Sequence, residues 1–258
     1  MLMEATSTLP TLRVGGIMTA SVTRQQLAEC MVRDVARARA GVQTQPKVVV
    51  ASNGLVIALY HRHPEFRALI DQADIVDADG MPLIFASRLK HHAPLPERVA
   101  TTDFLWDAAE HAARHGIRFY LLGAMPGVAA RTAELLLERF PDLQIAGIRH
   151  GYFDAAETPR ICEEIKAAGT DILWVGRGSP MQERFAIEQR ENLAGLAWIR
   201  TCGGLFDHVG GGMRRAPAYM QKAGLEWLHR AILEPRRLGM RYLLTNPVAV
   251  FHLLTKTS

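Results

Sequence analysis

Six apolar runs of strand length, separated by segments of helical length, most narrow what this chain can become. They are PKVVVAS from Pro46, ADIVDADG from Ala73, IRFYLLG from Ile117, LQIAGIRHG from Leu143, DILWVGRGS from Asp171 and LAWIRTCGG from Leu196. Strands that read as near-continuous apolar runs are covered on both faces. Between them, VAARTAELLLERF from Val128 brings Ala129, Ala133, Leu136 and Leu137 near one helical face. The alternation predicts an α/β fold with a mostly parallel sheet flanked by helices. In such sheets ligands bind beyond the carboxyl ends of the strands, where loops gather and helix N-termini present free N–H groups.

The strand ends are therefore the places to look for chemistry. In IVDADGMPLI, Asp77 and Asp79 face the same side if the strand persists through them. Three readings stay open there: an Asp-x-Asp metal pair, a single catalytic base, or an Asp79 that only caps the helix opened by Gly80, Met81 and Pro82. LLGAMPGVAAR, with Gly123, suits a turn whose N–H groups meet a diphosphate, but it holds neither G-x-G-x-x-G nor a P-loop Lys-Ser/Thr. GRGSPMQERF sets Gln182 and Glu183 in the first turn of a helix, where Glu can simply favour the helix dipole. GGLFDHVGGG leaves Asp207 between a strand and a glycine triplet, Gly210 to Gly212, that reads as a hinge.

Charge divides the chain at that triplet. Residues 213–258 carry eight Lys or Arg against two Glu, whereas the preceding 212 residues carry 22 basic and 24 acidic groups. A basic excess confined to one end points to an anionic partner. In the same stretch Leu225, Leu228 and Ile232 share a helical face, and Arg230, Arg237 and Arg241 recur at spacings of seven and four. Pro235 is expected to kink this arm, and the apolar end from Tyr242 to Leu254 suits lying on a bilayer rather than crossing it. Two parts are expected, an α/β core over residues 1–212 and a C-terminal helical, amphipathic basic appendage over 213–258.

Some classes are disfavoured. Cys30, Cys162 and Cys202 are odd in number and lack C-x-x-C spacing, against a disulfide framework or zinc cluster and in favour of a reducing compartment. The ten histidines show no H-E-x-x-H; His61, His63, His91 and His92 read as surface or loop groups. No run has the signature of a secretory leader or spanning helix. Arginines without interleaved aromatic residues, and no nucleic-acid motif, set a nucleic-acid module far below an enzyme.

Taken in order, SNGLVIALY, DIVDADGMPLI, ERVATTDFL, LLGAMPGVAARTAELL, GYF, DILWVGRGSPMQERF, CGGLFDHVGGGMRRAP and GLEWLHRAILEPRR resemble the bacterial WecG/TagA/CpsF glycosyltransferases, glycosyltransferase family 26. The resemblance runs from about Lys47 to Tyr242. It implies a Rossmann-like fold and an inverting transfer from a UDP-sugar to a polyprenyl-diphosphate-linked saccharide. By the resemblance Asp79 is the general base; Asn53, Arg98 and Gln182 line the same pocket; Gly123, Tyr152 and Asp207 attend the nucleotide. Arg230, Arg237 and Arg241 close over the diphosphate. It implies no metal and no cofactor other than the UDP-sugar substrate, peripheral attachment to the cytoplasmic face of the inner membrane, and no nucleic acid; homo-oligomerisation is left open. Ala51, Met181 and Met240 depart from residues common in the family. The tail resembles the branch found in xanthan-like and acetan-like exopolysaccharide assembly, which implies a glucuronosyl donor; N-acetylmannosamine is the alternative within the family, and a metal-dependent transferase using Asp77 and Asp79 is the mechanistic rival.

Overall fold

A computed structural model describes residues 9–258, apart from Arg214 and the side chain of Arg237. The six apolar runs become β3 (Lys47–Ser52), β4 (Ile75–Ala78), β5 (Arg118–Gly123), β6 (Gln144–Arg149), β7 (Ile172–Gly176) and β8 (Trp198–Thr201). They form one sheet in the order β4-β3-β8-β7-β5-β6 with every neighbouring pair parallel. Period-two alternation sorts the side chains to two cores. Trp174 and Trp198 pack with Leu27 and Phe104 on one face, while Leu173, Val175 and Ile199 pack with Val50, Ile57 and Leu83 on the other.

Preceding the sheet are a hairpin, β1 (Thr11–Val14) and β2 (Ile17–Ala20), and helix α1 (Arg24–Arg39). The hairpin was not anticipated from the sequence. Its signal is Gly15-Gly16, whose φ values of 58° and 90° fit the left-handed two-residue turn that joins twisted antiparallel strands.

The helices joined to the strands are α2 (Gly54–Arg62), α3 (Pro64–Ile70), α4 (Met81–Lys90), α5 (Thr101–His115), α6 (Val128–Arg139), α7 (Thr158–Ala167), α8 (Met181–Glu188) and α9 (Leu205–Val209). The glycine triplet after α9 is less a free hinge than expected. A Cβ on Gly210 would overlap the Val128 carbonyl oxygen, and one on Gly211 would lie 2.6 Å from Asp207 O, so close packing demands both glycines. Only Gly212, with φ of 68° and open space around it, has the freedom of a hinge residue.

The appendage is helical: α10 (Ala218–Lys222), α11 (Glu226–Leu233), a π-turn at Pro235–Gly239 where the proline interrupts the path, and α12 (Met240–Thr255). Helix α12 lies along α2. Its inner face buries Ala249 and Leu253 in the same apolar cluster as Ile57, while Leu243, Leu244, Val250, Phe251 and Leu254 remain exposed on its outer face.

Candidate active site

The carboxyl ends of all six parallel strands open into one cavity of about 1000 Å³, roofed by α11 and α12. Asn53, Asp79, Arg98, Tyr152, Gln182, Asp207, Arg230 and Arg241 all line it. Residues from β3, β4, β6, α8, α9 and the appendage are thus brought together across 188 positions of sequence, from 53 to 241. The side chain of Arg237 lies outside what the structure describes. Gly123 does not line the cavity, although its neighbour Ala124 does. It serves the backbone instead: a Cβ there would overlap Gly176 O, and one on Gly151 would come within 3.1 Å of Gly123 Cα.

Asp79 leaves β4 half-buried, with both carboxylate oxygens engaged. Oδ1 accepts from Thr101 N at 2.9 Å and Oδ2 from Asn53 Nδ2 at 3.3 Å. The sequence suggested a cap on the following helix, but the N-cap of α4 is Gly80 and has no side-chain bond. Asp79 instead satisfies an orphan N–H at the start of α5, which has no side-chain cap of its own. Each carboxylate oxygen has a second lone-pair site, so one more donor can be accepted. Asn53 is fixed by capping α2, its Oδ1 accepting from Leu55 N at 3.0 Å and Val56 N at 3.3 Å. That leaves its Nδ2 to steer Asp79.

Asp77 belongs elsewhere. It is fully buried beneath the site in an ion pair with Arg200 of β8, and it does not line the cavity. Burial pushes its carboxyl up to about 6 against the opposing pull of Arg200. The two aspartates are therefore not presented as a pair to a common ligand: the strand ends at Ala78, and the alternation that would align them ends with it. Among the described residues no three His, Cys, Asp or Glu side chains cluster as metal ligands.

Gln182 is buried and joins two loops: its Nε2 donates to Glu183 Oε1 at 2.8 Å, and its Oε1 accepts from Gly203 N at 2.8 Å. Glu183 is more than a helix-dipole residue. It also accepts from Ser179 Oγ at 2.8 Å, and burial holds its carboxyl above the usual range. This lattice locks the loop after β7 to the loop after β8, whose Gly203 and Gly204 form part of the cavity wall. Arg230 reaches that wall, as a Cβ on Gly204 would stand 3.6 Å from Arg230 Nη2 and 3.7 Å from Asp207 Oδ2.

Four further residues, three lining the site and one beneath it, were not singled out from sequence. Arg177 donates from Nε to Gly151 O at 2.9 Å and lies 3.8 Å over the Phe153 ring, beside the exposed Tyr152. His208 lines the cavity with its pKa lowered, first by burial and then by Arg230. Glu226 accepts from Arg98 Nη1 at 3.0 Å and lies 3.6 Å from Arg215 Nε. Arg200, in the middle of an apolar strand, had a legible signal: a cation there demands a buried carboxylate. The other three had none, because their partners are remote in sequence.

Chemically, the site offers one carboxylate poised on a strand lip and, about two strand spacings or roughly 10 Å away, a glycine-lined wall answered by arginine. Arg230 and Arg241 each have a buried Nε without a hydrogen-bond partner among the described residues. No helix among the described residues is long and apolar enough to cross a membrane. The model of the glycosyl transferase WecG/TagA/CpsF family matches residues 12–258, which takes in the hairpin, the whole sheet, the cavity loops and α12.

Proposed function

The chain belongs to the WecG/TagA/CpsF family, glycosyltransferases of polysaccharide biosynthesis, and from that premise we propose an inverting transfer from a UDP-sugar to a polyprenyl-diphosphate-linked saccharide. The observation that carries this reading is that Asp79 opens into the same cavity as Arg230 and Arg241, neither of which has an ion pair among the described residues. The acceptor hydroxyl donates to a free lone pair of Asp79 as its oxygen attacks the anomeric carbon. The carbon–oxygen bond to the β-phosphate breaks on the opposite side, the configuration inverts, and the hydroxyl proton remains on Asp79. Negative charge moves onto the departing UDP, where Arg230 and Arg241 meet it in a partly water-excluded space. Arg237 is assigned to the same task by its sequence position. Tyr152 and Asp207 are assigned to the nucleotide, and Gln182 to holding Gly203 where the diphosphate passes.

The donor sugar is proposed to be glucuronic acid, on the likeness of the tail to the exopolysaccharide branch alone. The arginines take the part a metal ion would otherwise play, so no metal is invoked. Attachment is proposed to be peripheral, on the cytoplasmic face of the inner membrane, through the apolar outer face of α12. The test is to incubate the purified protein with a panel of UDP-sugars and polyprenyl-diphosphate-linked acceptors and to read the anomeric configuration of the product by NMR. Transfer with retention would remove the single-base mechanism, and transfer from UDP-N-acetylmannosamine but not UDP-glucuronate would reassign the donor.

A further inference from the structure

Sharing no lining residue with the catalytic cavity, at the other end of α12, is a notch of about 390 Å³ whose lining includes Arg13, Tyr60, His61, Arg67, Lys256 and Ser258. We propose that this notch receives the phosphate of an anionic membrane lipid, a contact that rests on the peripheral attachment proposed above and adds to it a headgroup site outside the catalytic machinery.

The notch is built from remote pieces of chain. The segment after α12 is sewn to the hairpin by Gly16 N to Lys256 O at 2.8 Å, Ser258 N to Arg13 O at 3.0 Å and Gly15 N to Thr257 Oγ1 at 3.0 Å. His61 of α2, read from sequence as a surface or loop group, stacks on His252 of α12 with ring centroids 3.5 Å apart. Both guanidinium groups are already oriented. Arg67 donates from Nε to Tyr60 O at 3.3 Å and lies 4.9 Å over the Tyr60 ring, while Arg13 donates from Nη1 to Gly16 O at 3.3 Å. Asp71, at the end of α3, is already engaged, accepting from the Tyr60 hydroxyl at 2.8 Å.

Arg13, Arg67 and Lys256 consequently face one concavity without an ion pair among the described residues. Several other cations are answered: Arg39 and Arg118 share Asp171, and Arg24 reaches Glu97, Asp103 and Asp107. Three unneutralised cations held around one opening repel one another, and an anion with several acceptor oxygens relieves that repulsion. The apolar stripe of α12 says which anion. Leu243, Val250 and Leu254, with Leu244 and Phe251 beside them, follow helical spacing along the exposed face and stop beside Thr255 and Lys256, at the lip of the notch. An apolar stripe ending in a cationic notch matches a lipid leaflet, with acyl chains along the stripe and a headgroup phosphate at its end.

The test uses the full chain and co-sedimentation with phosphatidylcholine vesicles, with and without phosphatidylglycerol. If each near-surface cation contributes about 1 kcal/mol, replacing Arg13, Arg67 and Lys256 together by Gln lowers the partition onto phosphatidylglycerol vesicles on the order of 100-fold. Binding to pure phosphatidylcholine, carried by the stripe, should change little. A control with Arg33→Gln, Arg37→Gln and Arg139→Gln removes the same net charge elsewhere. Equal losses in the two variants, or an unchanged preference in the notch variant, would overturn the headgroup site while leaving peripheral attachment intact. Wild-type protein that transfers sugar yet binds neither vesicle would overturn both. Calorimetric binding of inorganic phosphate in the notch as tight as vesicle binding would identify a soluble anion as the ligand and also overturn the lipid assignment.

Discussion

Arg98 Nη1, on the loop before α5, lies 3.0 Å from Glu226 Oε2 at the start of α11, and this half-buried pair joins the core to the appendage directly above the cavity. Arg215 reinforces it by gripping Asp103 of α5 with both terminal nitrogens while reaching Glu226. A double-mutant cycle of Arg98→Ala and Glu226→Ala should therefore show coupling of about 0.5–3 kcal/mol in denaturant unfolding. Limited proteolysis should cleave either single variant faster than the parent between residues 213 and 225. Additive effects and unchanged cleavage would remove the pair as a clasp.

Asp79→Asn is the cleanest test of the base. Its amide oxygen can still accept from Thr101 N, so the start of α5 stays satisfied, while its NH2 faces the Asn53 Nδ2 donor and that longer bond is lost, and it cannot take a proton at neutral pH. We expect kcat to fall by about 100-fold or more with thermal unfolding close to the parent. Parental turnover would reject Asp79 as the base.

The ion pair beneath the site makes a different prediction. Arg200 Nε and Nη2 and Asp77 Oδ1 are buried without hydrogen-bond partners among the described residues, so the pair is incompletely satisfied. Removing one partner leaves an uncompensated buried charge, and Asp77→Leu or Arg200→Met alone should cost about 3–5 kcal/mol in denaturant midpoint analysis. The double replacement should recover most of that loss. Single variants as stable as the parent would show that the charges are not both buried.

His208 gives the fold an acid-side weakness. Its pKa is lowered in the folded state, by burial first and by Arg230 next. Between that lowered value and the ordinary imidazole value of about 6.5, the unfolded chain binds more protons, so folding stability falls as pH drops through this window. His208→Gln should flatten the decline in melting temperature across it. An identical pH profile for parent and variant would exclude His208 as the titrating group.

The arginine roof predicts what chelation does. Transfer should persist in EDTA, because Arg230 and Arg241 are proposed to meet the diphosphate charge. Arg230→Ala and Arg241→Ala should each weaken UDP binding, by roughly 10-fold if one charged hydrogen bond of about 1.5 kcal/mol is lost. Complete loss of activity in EDTA, reversed by Mn²⁺, would restore the metal-dependent reading.

Sequence alone determined the layers. β3 to β8 are apolar runs bounded by glycine and polar residues, and the burial of β3, β4, β5, β7 and β8 on both faces follows from that local pattern, whereas β6, at the edge of the sheet, stays partly exposed along its length. The sequence also determined which residue types stand at the carboxyl ends of the strands, and the resemblance of the ordered motifs to the family implied one pocket for Asn53, Asp79, Gln182 and Asp207. The hairpin carries a local signal, Gly15-Gly16, but two four-residue strands are too short for their apolar pattern to stand out beside it.

Only the tertiary structure decided what those residues do to one another. Asp77 and Asp79 are two positions apart and look alike in sequence, yet one is consumed by Arg200 and the other is turned by Asn53 and Thr101 into the cavity. The separation arises because β4 ends between them and because β8, more than a hundred residues later, lies one strand away from β4 across β3. Strand order is set by long-range packing, and no local periodicity encodes it. For the same reason Arg177, His208 and Glu226 escaped notice: each acquires its role from a partner that only folding brings within reach, Gly151 for Arg177, Arg230 for His208 and Arg98 for Glu226.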